Sequence, residues 1–259
     1  MLLTPRPEIL LFGEDSSIRE ICREFGLKQL RVDQNSYGTP FLNDMFNKAQ
    51  GAARFDLLCY VNADIVLTSD FIRMAQKIAS WKECVAVGGR IDIDVDLFRS
   101  LDLDSQDPEK RLRDLAATKG SPMVAGSDYF LFPKGFFSEM PPFAIGRTCF
   151  DNWLFWQTRH RNLPLVDATE IVLALHPKHT SPAQWTKISN GPEALENRRL
   201  ARTWPRSYTI ADATHRLGPA GFRSRWFHSA LHRLGMARML LEQKARASAR
   251  TLLRPLLRN

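Results

Sequence analysis

The chain has 259 residues, enough for one α/β domain with an appendage, and its 44% hydrophobic and 25% charged content excludes disordered, collagenous and coiled-coil classes. No run approaches the roughly 20 apolar residues of a membrane-spanning helix, and Pro5, Pro7 and Glu8 interrupt the apolar start that a secretory leader needs. The net charge of +8 is uneven: residues 200–259 hold twelve Lys/Arg against Asp212 and Glu242, or +10, leaving 24 basic and 26 acidic groups, or −2, in residues 1–199.

Apolar runs of strand length alternate with helical patterns, which predicts a layered α/β sheet. In chain order, Glu8–Gly13 reads as a strand, Ser17–Phe25 as a helix, Leu30–Val32 as a short strand and Pro40–Ala53 as a helix. Leu57–Val61 reads as a fully buried strand, Asp70–Trp81 as a helix and Cys84–Val87 as a second buried strand. The stretch from Asp92 to Asp107 reads as acidic and irregular. Asp128–Phe132 is a strand, Asp151–His160 a helix with Asp151 placed to cap it, and Leu165–Ala168 and Ile171–Leu175 two closing strands. Helix follows Pro192, and then the basic tail. The division is therefore a domain over residues 1–199 and a tail over 200–259. Cys22, Cys59, Cys84 and Cys149 are far apart without C-x-x-C spacing, which argues against a disulfide framework or zinc site and fits a reducing cytosol.

Leu57–Val61 delivers Asn62-Ala63-Asp64 at a strand's carboxyl end, where ligand sites of α/β sheets lie. A divalent cation bridging a diphosphate takes one or two carboxylates there, although Asp64 could equally cap the next turn. Asp151, at the start of a helix, sits where the dipole favours the anion, a setting for a general base or simply for a cap. His176 follows an apolar strand and suits a metal through its neutral imidazole, or a purely structural role. The Asp92-Ile93-Asp94-Val95-Asp96 run fails as a calcium loop, because Leu97 and Leu103 stand where that loop needs Gly and Glu. Asp102-Leu103-Asp104 reads as a solvated acidic loop.

Gly38–Asp70, with Asn43 on its helix and Asn62-Ala63-Asp64 after its strand, resembles the nucleotide-sugar half of GT-A glycosyltransferases, with Asn in the first place of their D-x-D motif. Asp128-Tyr129-Phe130, Gly146–Leu154 around Asp151, His176–His179, Asp167–Thr169 and Gly191–Glu193 with Asn197 extend the likeness over residues 8–197. The resemblance implies a GT-A-like (Rossmann-like) mixed, mostly parallel sheet flanked by helices, with a basic helical tail. It implies Asp64 and His176 as ligands of Mn²⁺ or Mg²⁺, Asn62 facing the ribose or a water on the metal, and Gly38 and Asn43 near the nucleotide. Asp128 and Tyr129 would line the donor or acceptor pocket, and Asp151 would be the base of an inverting transfer. The donor would be a nucleoside-diphosphate sugar and the acceptor an unidentified glycan or lipid-linked intermediate. Against that family, Glu8–Gly13 resembles the second strand, so the first βα unit is expected to be absent.

Two rival readings stand beside the enzyme: a non-catalytic GT-A relative acting as a scaffold, and a nucleic-acid-binding protein through its tail. Residues 222–257 interleave arginine with Trp226, Phe227, Leu231, Leu234, Leu240 and Leu241, a pattern for an anionic membrane surface or for a helix packed on the body. Nucleic-acid binding is the weakest of the three, since the charge is appended to a sugar-nucleotide-like domain. The expected location is the cytoplasm, with the inner membrane face as the peripheral site.

Overall fold

The computed structural model describes residues 3–81, 83–102, 106–123, 127–178, 182–201 and 208–253. β1 (Leu10–Phe12) and β2 (Lys28–Leu30) form a parallel pair joined by α1 (Ser16–Phe25), which stops where Gly26 takes a left-handed φ of 61°. The chain continues through α2 (Leu42–Ala52), β3 (Leu57–Val61), β4 (Val66–Leu67), α3 (Ser69–Ala79), β5 (Val85–Val87) and β6 (Arg90–Asp94). Next come α4 (Val95–Arg99), α5 (Pro108–Lys119), β7 (Ser121–Met123), β8 (Tyr129–Pro133), α6 (Phe150–His160), β9 (Leu165–Asp167) and β10 (Ala174–Lys178). α7 (Pro182–Asn190), α8 (Pro192–Leu200), a 3₁₀ turn (Ile210–Asp212), β11 (His215–Gly218), β12 (Gly221–Ser224) and α9 (Trp226–Leu253) complete the described chain.

The large sheet has the order β12-β11-β9-β5-β8-β3, with β11, β9 and β5 parallel and β8 antiparallel to both its neighbours. A second sheet has the order β4-β10-β6-β7, built on the parallel β10–β6 pair. The class is thus the expected mixed α/β sheet flanked by helices. Alternation along β8 sends Phe130 and Phe132 to one face, against Phe46 of α2 and Trp153 and Leu154 of α6. Tyr129 and Leu131 go to the other face, against Phe71, Met74 and Ile78 of α3. Ile93, Leu112, Ala116 and Leu175 form a third, smaller core between the second sheet and α5. Truncating a side chain as enclosed as Phe130 would cost about 3–5 kcal/mol.

The structure revises several expectations. Leu57–Val61 is a strand but not fully buried, because among the described residues it pairs only with β8 and leaves Val61 exposed. The acidic segment is regular over residues 92–99, while Leu103 and Asp104 of the Asp102-Leu103-Asp104 run lie outside the described residues. The regular part continues β6 and then enters α4, whose N-cap Asp94 accepts from the backbone amides of Asp96 and Leu97. The last closing strand lies at Ala174–Lys178 rather than 171–175. Residues 215–224 form a hairpin that adds to β9, so a boundary after residue 199 cuts through the body, and the tail helix begins at Trp226. No disulfide links the four cysteines, and no described helix is long and apolar enough to cross a membrane.

Candidate functional site

Where β3 ends, its ladder with β8 continues by one bond, from the Asn62 amide to the Asp128 carbonyl at 3.0 Å. The side chains face each other across that rung, and Asn62 Nδ2 donates to Asp128 Oδ1 at 2.7 Å. Tyr60 Oη donates to Asn62 Oδ1 at 2.5 Å, which settles the orientation of the amide. Burial, reinforced by Asp128, Asp64 and Asp151, raises the Tyr60 pKa far enough that its hydroxyl keeps the proton it donates.

The second sheet supplies the other half. Parallel pairing of β10 with β6 puts His176 beside Asp92, and the imidazole Nδ1 lies 3.0 Å from Asp92 Oδ1. Its Nε2 lies 3.4 Å from Asp64 Oδ2. Arg90, two residues before Asp92 and on the same face, donates through Nε to Asp92 Oδ1 at 2.8 Å and through Nη1 to Asp128 Oδ2 at 2.6 Å. One chain of polar contacts therefore runs from Tyr60 through Asn62, Asp128, Arg90, Asp92 and His176 to Asp64. Burial pulls the Arg90 pKa down, but Asp128 and Asp92 outweigh it and the net shift is upward. The His176 pKa is raised, first by its hydrogen bond with Asp64 and, less strongly, by the contact with Asp92.

Asp151 is close enough to this chain for Asp128 to raise its pKa and for its own charge to bear on Tyr60. It is not the N-cap: Cys149 holds that place at a φ of 87°, a left-handed conformation rarely adopted by residues other than Gly. Asp151 lies in the first turn, and its Oδ1 accepts the Asn152 amide at 2.9 Å. The helix start favours the anion, yet burial is the larger effect and the net shift is upward. The loop leading into α6 is clamped from α8. Asn197 hydrogen-bonds both backbone groups of Ala144 and the Thr148 carbonyl, and Glu193 pairs with Arg147 at 2.6 Å.

The other expected residues fall into three groups. Gly38, at a φ of 77°, forms the Asn35–Thr39 turn, which Asn35 ties to Glu193 at 2.7 Å. Asn43 lies in the first turn of α2, beside the Leu42–Phe143 backbone bond; neither residue joins the polar chain. Tyr129, by contrast, is fully buried against Phe71 and lines no pocket, because it points to the opposite sheet face from Phe130. His179 lies outside the described residues. Sequence reasoning missed Asp92 and Arg90, and the signal for them was the strict alternation of Arg90-Ile91-Asp92-Ile93-Asp94, a strand pattern.

Chemically, four carboxylates (Asp64, Asp92, Asp128 and Asp151) face one guanidinium and one imidazole. Such a surplus of negative charge repels a bare diphosphate and attracts a divalent cation. Two neighbouring ligands of one octahedral ion, each about 2.1 Å from it, stand roughly 3 Å apart. The 3.4 Å between Asp64 Oδ2 and His176 Nε2 fits that spacing. Among the described residues, no group of three or more His, Cys, Asp or Glu makes a metal cage by itself, so the remaining ligands would have to be phosphate oxygens and water.

No protein-family model matches the sequence, and no curated protein matches it. Among solved structures, a Bacillus anthracis protein named as a glucose-1-phosphate thymidylyltransferase, in complex with sucrose, is similar over 76% of each chain at 13% identity, with a TM-score of 0.37. A likeness at that score carries no weight for function.

Proposed function

We propose that the chain is a GT-A-type glycosyltransferase that moves a sugar from a nucleoside-diphosphate donor to an acceptor hydroxyl with the help of Mn²⁺ or Mg²⁺. The observation that carries this reading is the convergence of Asp64, at the end of β3, with His176 of β10 inside one connected polar chain. Asp64 and His176 would hold the cation, which when bound neutralises charge on the leaving diphosphate. Asp92, 3.0 Å from His176 Nδ1, would accept that nitrogen's proton in a hydrogen bond and so leave the Nε2 lone pair for the cation. Asn62, fixed by Tyr60 and Asp128, would orient the ribose side of the donor.

Asp151 would act as the base. It would take the acceptor hydroxyl's proton as that oxygen bonds to the anomeric carbon and the carbon–diphosphate bond breaks on the opposite face, giving inversion. Its raised pKa brings it closer to that of an efficient base at neutral pH than an ordinary carboxylate is.

Calorimetric titration of UDP, GDP and dTDP, with and without Mn²⁺, tests the proposal on the wild type and on Asp64→Ala. The expected result is metal-dependent binding of at least one nucleotide, weakened at least tenfold in the variant. Absence of binding to every nucleotide with metal present overturns it. Tight nucleotide binding without turnover of any sugar nucleotide would instead favour the scaffold reading.

A further inference from the structure

A surface helix of a folded domain ordinarily turns its apolar stripe inward and its charges outward. α9 does the reverse. After Trp226, which packs under Arg159 and edge-on to His215, the side facing the body carries Ser229, His232 and Arg233. Ser229 is buried and donates through Oγ to the Asp212 carbonyl at 2.9 Å. Arg233 approaches Asp212 at 3.5 Å and lies 3.8 Å above the Tyr208 ring, and His232 approaches Asp212 at 3.8 Å. The outward side carries Phe227 at 79% exposure, Leu231 at 52%, Leu234 at 68% and Leu241 at 68%. Spacings of four, three and seven residues place these four on a single stripe. Arg238 falls within it, solvent-exposed and paired with Glu242 at 3.0 Å.

Charge tells what would cover this stripe. Residues 226–259 contain seven Lys/Arg and one acid, Glu242, a net +6, and residues 243–259 contain five Lys/Arg and no acid. A second copy docking face to face would set +6 against +6. An anionic bilayer surface instead supplies both needs, acyl chains for the leucines and phosphate or carboxylate headgroups for the arginines.

We propose that α9 docks the protein on anionic lipid, lying in the plane of the interface with Phe227, Leu231, Leu234 and Leu241 turned toward the acyl region. Arg238 can extend its guanidinium to the headgroups while its methylenes stay in the stripe. The polar side remains on the body, so docking requires no unfolding of the helix. Lipid docking stands or falls separately from sugar transfer.

Sedimentation of the full chain with vesicles of phosphatidylcholine alone, or with 30% phosphatidylserine, tests this. Binding is expected to the phosphatidylserine vesicles, at least tenfold weaker to phosphatidylcholine alone, and falling as salt is raised. The double variant Leu231→Asp/Leu234→Asp, whose side chains point to solvent, should fold as the wild type by circular dichroism and lose binding at least tenfold. Arg238→Gln removes one charge, worth roughly fivefold near an anionic surface. Wild type that fails to sediment with either vesicle overturns the proposal, as does binding that the double variant leaves unchanged. A dimer by light scattering, dispersed by the double variant and without vesicle binding, assigns the stripe to a second copy instead.

Discussion

Of the several places where the chain buries a carboxylate beside cations, two are built in opposite ways. At the end of β3, Asp92 and Asp128 are nearly enclosed, and Arg90 meets both at 2.6–2.8 Å, while Asn62 takes the other oxygen of Asp128 and His176 shares Asp92 Oδ1 with Arg90. Beneath α9, Asp212 is also fully buried, but its cations stand off at 3.5–3.8 Å. There Asp212 Oδ1, Arg159 Nη1 and His232 Nε2 find no hydrogen-bond partner among the described residues. The first arrangement fixes side chains in position, as a site for chemistry requires. The second holds a helix by charge at a distance, with partners that water still reaches. Tight pairing goes with Arg90, Asp92 and Asp128, and loose pairing with Asp212 beneath α9.

The sharpest test of the first half is Asp151→Asn. If Asp151 is the base, turnover should fall about 10²- to 10⁴-fold, measured as sugar transfer once a donor is found. The same substitution should raise stability at neutral pH. Burial raises the folded pKa of Asp151 above its ordinary value, so the folded form holds its proton to higher pH than the unfolded chain. Stability therefore falls as pH rises from the unfolded to the folded pKa, and the cost is fully present above both. Asn removes that cost, so its advantage in thermal denaturation should shrink as pH is lowered through that window. A variant that is inactive and also less stable at pH 7 would argue for a structural role instead.

Arg90→Ala addresses the network's integrity. It strands Asp92 and Asp128, whose side chains are only 8% and 13% exposed, and should cost about 3–5 kcal/mol by urea denaturation at pH 7. A loss below about 1 kcal/mol would erase the distinction between the two regions. Asp92→Asn is gentler: the fold should persist, Mn²⁺ affinity should drop about 10- to 100-fold, and ¹⁵N shifts of the His176 ring should report a changed tautomer. Unchanged ring shifts would remove Asp92 as the group that sets the tautomer.

What the sequence disclosed follows the same divide. Apolar runs located the strands at Leu57–Val61, Val85–Val87 and Tyr129–Pro133, because hydrophobic burial writes itself as composition. Asp64 was proposed from its place just after β3 and His176 from the apolar run before it, although His176 lies inside β10 rather than beyond a strand. Asp92 and Arg90 were not, since an acidic stretch on a buried strand looks like a solvated loop unless its alternation is weighed above its charge. The 215–224 hairpin was overlooked because the basic composition after residue 200 masked a two-residue turn, Pro219-Ala220, between short strands. Pro177 is tolerated in β10 because it lies beyond the last residue that β4 pairs with, where an absent N–H breaks no ladder bond to β4. That α9 would sit polar side inward could not be read at all, because it depends on Asp212 being brought beneath it by the 3₁₀ turn.

Asp212→Asn carries the smallest expected effect and tests the second half of the comparison. The substitution removes a charge that burial disfavours and raises in pKa, and an amide oxygen can still accept the Thr209 backbone N–H that Asp212 Oδ2 takes at 2.9 Å. Arg233 and His232 lose their counter-ion; Arg233 is 23% exposed and keeps the Tyr208 ring, so water and the ring take over much of its solvation, while His232 Nε2 stays enclosed. Gain and loss should nearly cancel, leaving a change of about 1 kcal/mol or less in urea denaturation, against the several expected for Arg90→Ala. The folded core should be unaffected, while amide exchange in residues 226–239 should quicken, because the helix keeps its Ser229 contact but loses the charge that gathers Arg233 and His232 beneath it. A destabilisation as large as that of Arg90→Ala would mean that distance and exposure do not separate the two clusters, and that the α9 clamp is as tightly coupled to the fold as the site at the end of β3.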